Sequence, residues 1–191
     1  MLALLLAAAT ALPPAPPPPP PPELWHGARA GMTPAQVAAL FPKGRGPTAP
    51  VIKDPFPSPN MVEGGGGAGW VVDDVIYGHP AVATYYFAAG RLLSVVVDVQ
   101  NLQLRHTRDN VDVARDVEAG LTNFYGAPKV CADTGKGGLA RLDCRWVVRN
   151  VQVGLSYVDY GGLNPSLTVA TRPLPPKKRS IPFVFSRRGV H

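Results

Sequence analysis

The chain has 191 residues, 46% of them hydrophobic, with 20 glycines, 23 prolines and a net charge of +6. That is enough apolar material for a real core in one domain or two small lobes. Nine prolines fall between Pro13 and Pro22 and four glycines run from Gly64 to Gly67, so the chain as a whole is not low-complexity. Residues 1–171 hold thirteen Lys/Arg against thirteen Asp/Glu, so the entire positive excess lies in residues 172–191.

Leu2 to Leu12 is an apolar run, too short to cross a bilayer as a helix. Ala9-Thr10-Ala11 matches the small-x-small pattern before a signal cleavage site, so residues 1–11 are expected to be a cleaved export signal. No cysteine follows the run, and no lipoprotein-type anchor is expected. Residues 12–24 form a proline-rich linker whose proline run favours stiff polyproline II, either as a spacer or as a ligand for a proline-binding groove.

The first structured stretch is "GARAGMTPAQVAALFPKG", residues 27–44. Thr33 suits a helix N-cap and Pro34 the first helical position. Val37, Leu40 and Phe41 then share one face, and Pro42 and Gly44 end the helix. Residues 43–69 read as a long irregular segment. "GWVVDDVIYG" reads as a strand, and "PAVATYYFAAGRLLSVVVDV" as a hairpin turning at Ala89-Gly90. In its second arm Leu93, Val95, Val97 and Val99 form the wholly apolar face. A longer helix is predicted over 107–125, capped by Thr107, with Val113, Val117, Leu121 and Phe124 as its buried stripe. Gly126 and Pro128 terminate it.

Cys131 and Cys144 flank a candidate hairpin tip at 134–138. Opposed cysteines in a hairpin meet the distance requirement of a disulfide, and an even cysteine count in an exported chain favours one. "LARLDCRWVV" and "VQVGLSYVDY" are predicted strands joined at Arg149-Asn150, and "SLTVATR" is the last strand. The tail carries Arg172, Lys177, Lys178, Arg179, Arg187 and Arg188 with no acid, a composition that attracts anionic lipid, polyanions or nucleic acid.

Each half thus reads as a helix, a loop and three strands. The first helix ends "ALFPKG" and the second "NFYGAPKV". The expected fold is α+β: two tandem αβββ units, over 25–104 and 105–171, with helices packed on antiparallel sheet and a basic tail over 172–191. Units this small are expected to pack together or share one sheet.

The opening "GMTPAQVAALFP" resembles the Gly-Met-Thr/Ser helix opening of cell-envelope proteins of the SmpA/OmlA outer-membrane-assembly type. The tandem arrangement is similar to that of the beta-lactamase inhibitor protein. The likeness rests on Gly31, Met32, Thr33 and Val37 and on the later "FYGAP" from Phe124 to Pro128. It implies non-catalytic protein binding in the envelope or outside the cell. No anchoring cysteine and no inhibitory loop match, so neither family's role transfers residue by residue.

No catalytic constellation stands out. His26, His79, His106 and His191 have no H-x-x-H or H-E-x-x-H spacing, and no metal site is expected. Asp73, Asp74 and Asp98 suggest a carboxylate cluster, but adjacent strand residues point to opposite faces. The run "GGGGAG" lacks the Gly-Lys-Ser/Thr ending of a phosphate loop. No serine lies in a G-x-S-x-G elbow. The aromatics Trp70, Tyr86 and Tyr160 are the candidate contact residues. The expectation is an exported, periplasmic or secreted, non-catalytic module with no cofactor and another envelope or extracellular protein as partner. Two alternatives remain open: a small hydrolase assembled from His79, Asp74 and Asp98, and docking on an anionic membrane surface through Lys177, Lys178 and Arg179.

Overall fold

The computed structural model describes residues 20–48, 69–135 and 139–174. The expected signal, most of the proline run, the glycine run and the tail residues Lys177, Lys178 and Arg179 lie outside the described residues. The elements run β1 (Glu23–Trp25), β2 (Ala28–Arg29), α1 (Pro34–Leu40), β3 (Arg45–Thr48), β4 (Gly69–Ile76), β5 (His79–Ala88) and β6 (Arg91–Val99). They continue with α2 (Thr107–Tyr125), β7 (Val130–Asp133), β8 (Leu139–Val148), β9 (Val151–Tyr160) and β10 (Ser166–Pro173). The fold is α+β. Eight strands form one antiparallel sheet in the order β3-β4-β5-β6-β10-β9-β8-β7, and β1 pairs with β2 alone. The halves meet at β6 and β10, where Val97 faces Val169.

Each helix is followed by four strands, where the sequence pattern predicts three. The added strands, β3 and β7, are four residues each and edge the sheet. They are too short to show a period of two against a Pro- and Gly-rich background. Glu23 and Leu24 also belong to the fold rather than to the linker, since Leu24 is buried.

α1 starts as its sequence dictates. Thr33 Oγ1 accepts from the Gln36 N–H, and Gln36 Oε1 accepts from the Thr33 N–H, a complete capping box. Val37 is buried and Phe41 stacks on Tyr85, with ring centroids 4.9 Å apart. Leu40, predicted in the same stripe, is 45% exposed. α2 buries Val117 and Leu121 as predicted and packs Val113 against the core, but it also buries Asn110 and Ala114, while Phe124 stands exposed. His106, not Thr107, occupies the N-cap, without a side-chain cap bond. Asn110 instead closes the approach to the helix. It accepts from the Gln103 N–H and donates to the Gln103 carbonyl, both at 2.8 Å.

The hairpin turns at Ala89-Gly90 and Arg149-Asn150 fall where predicted, each with positive φ at both residues. β6 keeps its predicted phase at Val95, Val97 and Val99, which are buried, and departs from it only at Leu93. The pairing shifts between Tyr86 and Phe87, so Leu92 is buried and Leu93 is exposed. The core lies between the helices and one sheet face, built from Tyr85, Val97, Leu155, Tyr157, Val169 and Trp146. Gly120 lets α2 approach closely, since a Cβ there would overlap the Tyr77 ring.

Candidate functional site

The ties between the helices, the β1–β2 hairpin and the sheet land on one face. Trp25 Nε1 donates to Asp74 Oδ2 at 2.8 Å, His79 Nε2 lies 3.6 Å from Asp116 on α2, and Trp146 Nε1 donates to the Gly126 carbonyl. Among the described residues no helix or strand packs on the opposite face. Strand alternation fixes what that face carries.

Two rows of side chains cross it. In one, Asp73, Val82, Asp98, Thr168, Ser156 and Asp143 stand side by side on β4, β5, β6, β10, β9 and β8. In the next, Val71, Thr84, Val96, Ala170, Gly154 and Arg145 do the same. The centre of the face is therefore small and hydroxylic. Thr84, Thr168, Ser156 and Ala170 are buried although no described element covers them. Short side chains sit low among taller neighbours.

The polar groups are largely interlocked. Thr168 Oγ1 donates to Asp98 Oδ1 at 3.3 Å, and Ser156 Oγ donates to Asp143 Oδ1 at 2.8 Å. Arg141 Nε binds the other Asp143 oxygen, and Arg45 pairs with Asp73 at 2.8 Å. Asp98 differs: among the described residues no cation lies within ion-pair distance. Burial pushes its carboxyl up from the ordinary value, against the opposing effect of the Thr168 hydrogen bond. Burial, with Asp98 nearby, also raises the Tyr86 hydroxyl, while a bond to Thr84 works the other way. At the β5–β6 turn end of the face Tyr86 pairs with Ser94, and the register that sets Thr171 beside Val95 brings Arg172 next to Ser94. Arg172 donates to Gln152 Oε1 at 3.3 Å. Among the described residues Ser94 Oγ and Arg172 Nε are buried without a hydrogen-bond partner.

The three aromatics named from sequence are not gathered at one place. Tyr86 and Tyr160 share the open face but lie at opposite ends of it. Tyr86 is level with Gln152 on β9, and Tyr160 is eight residues further along that strand, roughly 26 Å at ~3.3 Å per residue. Trp70 faces the helices. Its indole donates to the Phe41 carbonyl at 3.3 Å, lies against Gly44 and Gly46, and walls an apolar pocket of about 480 Å³ with Pro34, Ala35, Ala38 and Phe87. The hydrolase trio is split as well. Asp74 and His79 lie on the helix face, engaged by Trp25, His26 and Asp116, while Asp98 lies on the other. Cys131 and Cys144 face each other on β7 and β8 as a disulfide, Cα–Cα 4.0 Å.

Sequence reasoning missed the hydroxylic rows, because each member is unremarkable in its own strand. Only the register lines up Asp98, Thr168 and Ser156. Comparison of the chain with protein-family models, with curated proteins and with solved structures returned no match.

Proposed function

We propose that this chain is an exported, non-catalytic protein-binding module of the cell envelope, which presents the sheet face opposite its helices to a partner protein. The observation that carries the reading is the broad row of small and hydroxyl side chains, Thr84, Val96, Ala170 and Gly154 beside Asp98, Thr168 and Ser156, on a face no described element covers. A partner pressed there meets a shallow surface rimmed by Tyr86, Arg145 and Arg172, residue types that carry contact energy. The order of elements supports two tandem helix-plus-sheet units, since each half runs helix then four strands and the sheet order is symmetric about β6 and β10. The same order fits the resemblance to the envelope and inhibitor families. The signal-like start and the disulfide agree with an oxidising, extracytoplasmic location.

The test is affinity capture from an envelope fraction with the wild-type chain and with Thr84→Arg, each shown to be folded by circular dichroism. A protein recovered by wild type and lost with Thr84→Arg supports the reading. A protein retained equally by both contradicts it. A second reading rests on the concentration of all excess charge in residues 172–191: the tail docks on anionic lipid. Removing residues 175–191 then abolishes salt-sensitive binding to anionic vesicles, and unchanged binding refutes it.

A further inference from the structure

Away from the open face, α2 and the sheet edge bring a second cluster together. Glu118 of α2 reaches over the Cys131–Cys144 pair, with its Oε1 3.9 Å from Cys131 Sγ. The other oxygen, Oε2, accepts from Arg115 at 2.8 Å, and Arg115 is tied in turn to Asp133 at 2.5 Å. Arg115 thereby turns the carboxylate so that one oxygen is engaged and the other faces sulfur. A disulfide sulfur has no proton to give, and among the described residues Oε1 has no hydrogen-bond donor.

We propose that in the dithiol state Cys131, Cys144 and Glu118 hold a divalent cation of the zinc class, with solvent in the fourth position. In a tetrahedral site with Zn–S of about 2.3 Å and Zn–O of about 2.0 Å, an oxygen and a sulfur ligand stand roughly 3.5 Å apart. Glu118 Oε1 and Cys131 Sγ are already 3.9 Å apart, and all three ligand atoms lie within 4.8 Å of one another. Thiolate ligands select zinc-like ions over magnesium or calcium. Two thiolates and one carboxylate carry three negative charges, of which the cation offsets two, while Arg115 is shared between Glu118 and Asp133. Arg115 is also the outer partner that orients the carboxylate ligand. Cys144 is buried and Cys131 is exposed at the edge of the sheet, so reductant and ion enter from the Cys131 side.

The chemistry balances as follows. A dithiol reductant attacks the disulfide; two electrons and two protons pass to Cys131 and Cys144, and the reductant becomes the disulfide. The cation then displaces the two thiol protons, which leave to solvent. Every chain is synthesised with its cysteines as thiols, so the metal-binding state precedes the disulfide and caps both sulfurs until oxidation. The inference stands apart from the open-face reading.

The test uses the whole chain, fully oxidised or reduced with dithiothreitol and desalted. Cadmium is titrated by its thiolate charge-transfer absorbance, and zinc by competition with a chromophoric chelator. The reduced chain is expected to bind one ion, the oxidised chain none, and Glu118→Gln to bind at least about tenfold more weakly than wild type. A reduced chain that binds no better than the oxidised one overturns the proposal. So does a Glu118→Gln chain that binds as tightly as wild type, which is also the result if a reduced, unfolded chain were capturing metal through its cysteines alone.

Discussion

At the residue scale, Asn110 and Asp98 are polar side chains drawn away from solvent with opposite consequences. Asn110 is buried and makes a two-way bond with the Gln103 backbone. Asn110→Ala leaves a donor and an acceptor of Gln103 without their partner, which costs about 1–3 kcal/mol. The thermal midpoint is expected to drop by several degrees; a midpoint within error of wild type contradicts the assignment. Asp98 behaves oppositely. Burial raises its carboxyl above the ordinary value of 3.8, so the native state holds this proton more tightly than the unfolded chain does. The protein therefore loses stability as pH rises through that range. Denaturant melts of Asp98→Asn should show it more stable than wild type at neutral pH, with the gap closing as pH falls below the ordinary carboxylate value. A variant less stable at neutral pH shows that ionised Asp98 is stabilised by its surroundings instead.

At the element scale, the long periodic segments were legible and the short or irregular ones were not. β5, β6, β8, β9 and β10 were readable because apolar alternation persists over eight to ten residues and the turns fall on residues that accept positive φ. β3 and β7 were hidden by their length. In α2 the predicted apolar stripe ends on Phe124, which is exposed, and the helix also turns Asn110 and Ala114 inward, where Asn110 bonds to the Gln103 backbone. The bulge after Tyr86 is the clearest case, since one extra residue reverses the facing of Leu92 and Leu93. Leu92→Ala should cost about 2–5 kcal/mol in chemical denaturation. Leu93→Ala should stay within about 0.5 kcal/mol of wild type. The reverse order would place the bulge elsewhere.

At the scale of the whole molecule, eight strands from two halves form one sheet, with helices on one face and a low, hydroxylic surface on the other. The sequence pattern marks an apolar face on β6 and another on β9. It could not show that Asp98, Thr168 and Ser156 stand abreast, because that depends on pairing between residues 70 apart in the chain. It likewise placed Trp70 with Tyr86, although adjacent strands in register put Trp70 beside Tyr85 and hence under α1. The expectation of a contact surface thus rests on different residues from those first named: Thr84, Ala170 and Gly154 at the centre, with Tyr86 and Gln152 at its edge.

The most direct measurement is site-specific photo-crosslinking of the whole chain in an envelope fraction, with a photoreactive side chain placed in turn at Thr84, Gln152 and the exposed α2 position Arg108. The open-face account predicts a shared cross-linked partner at Thr84 and Gln152 and none at Arg108. Cross-linking from Arg108 with silence at both sheet positions contradicts it.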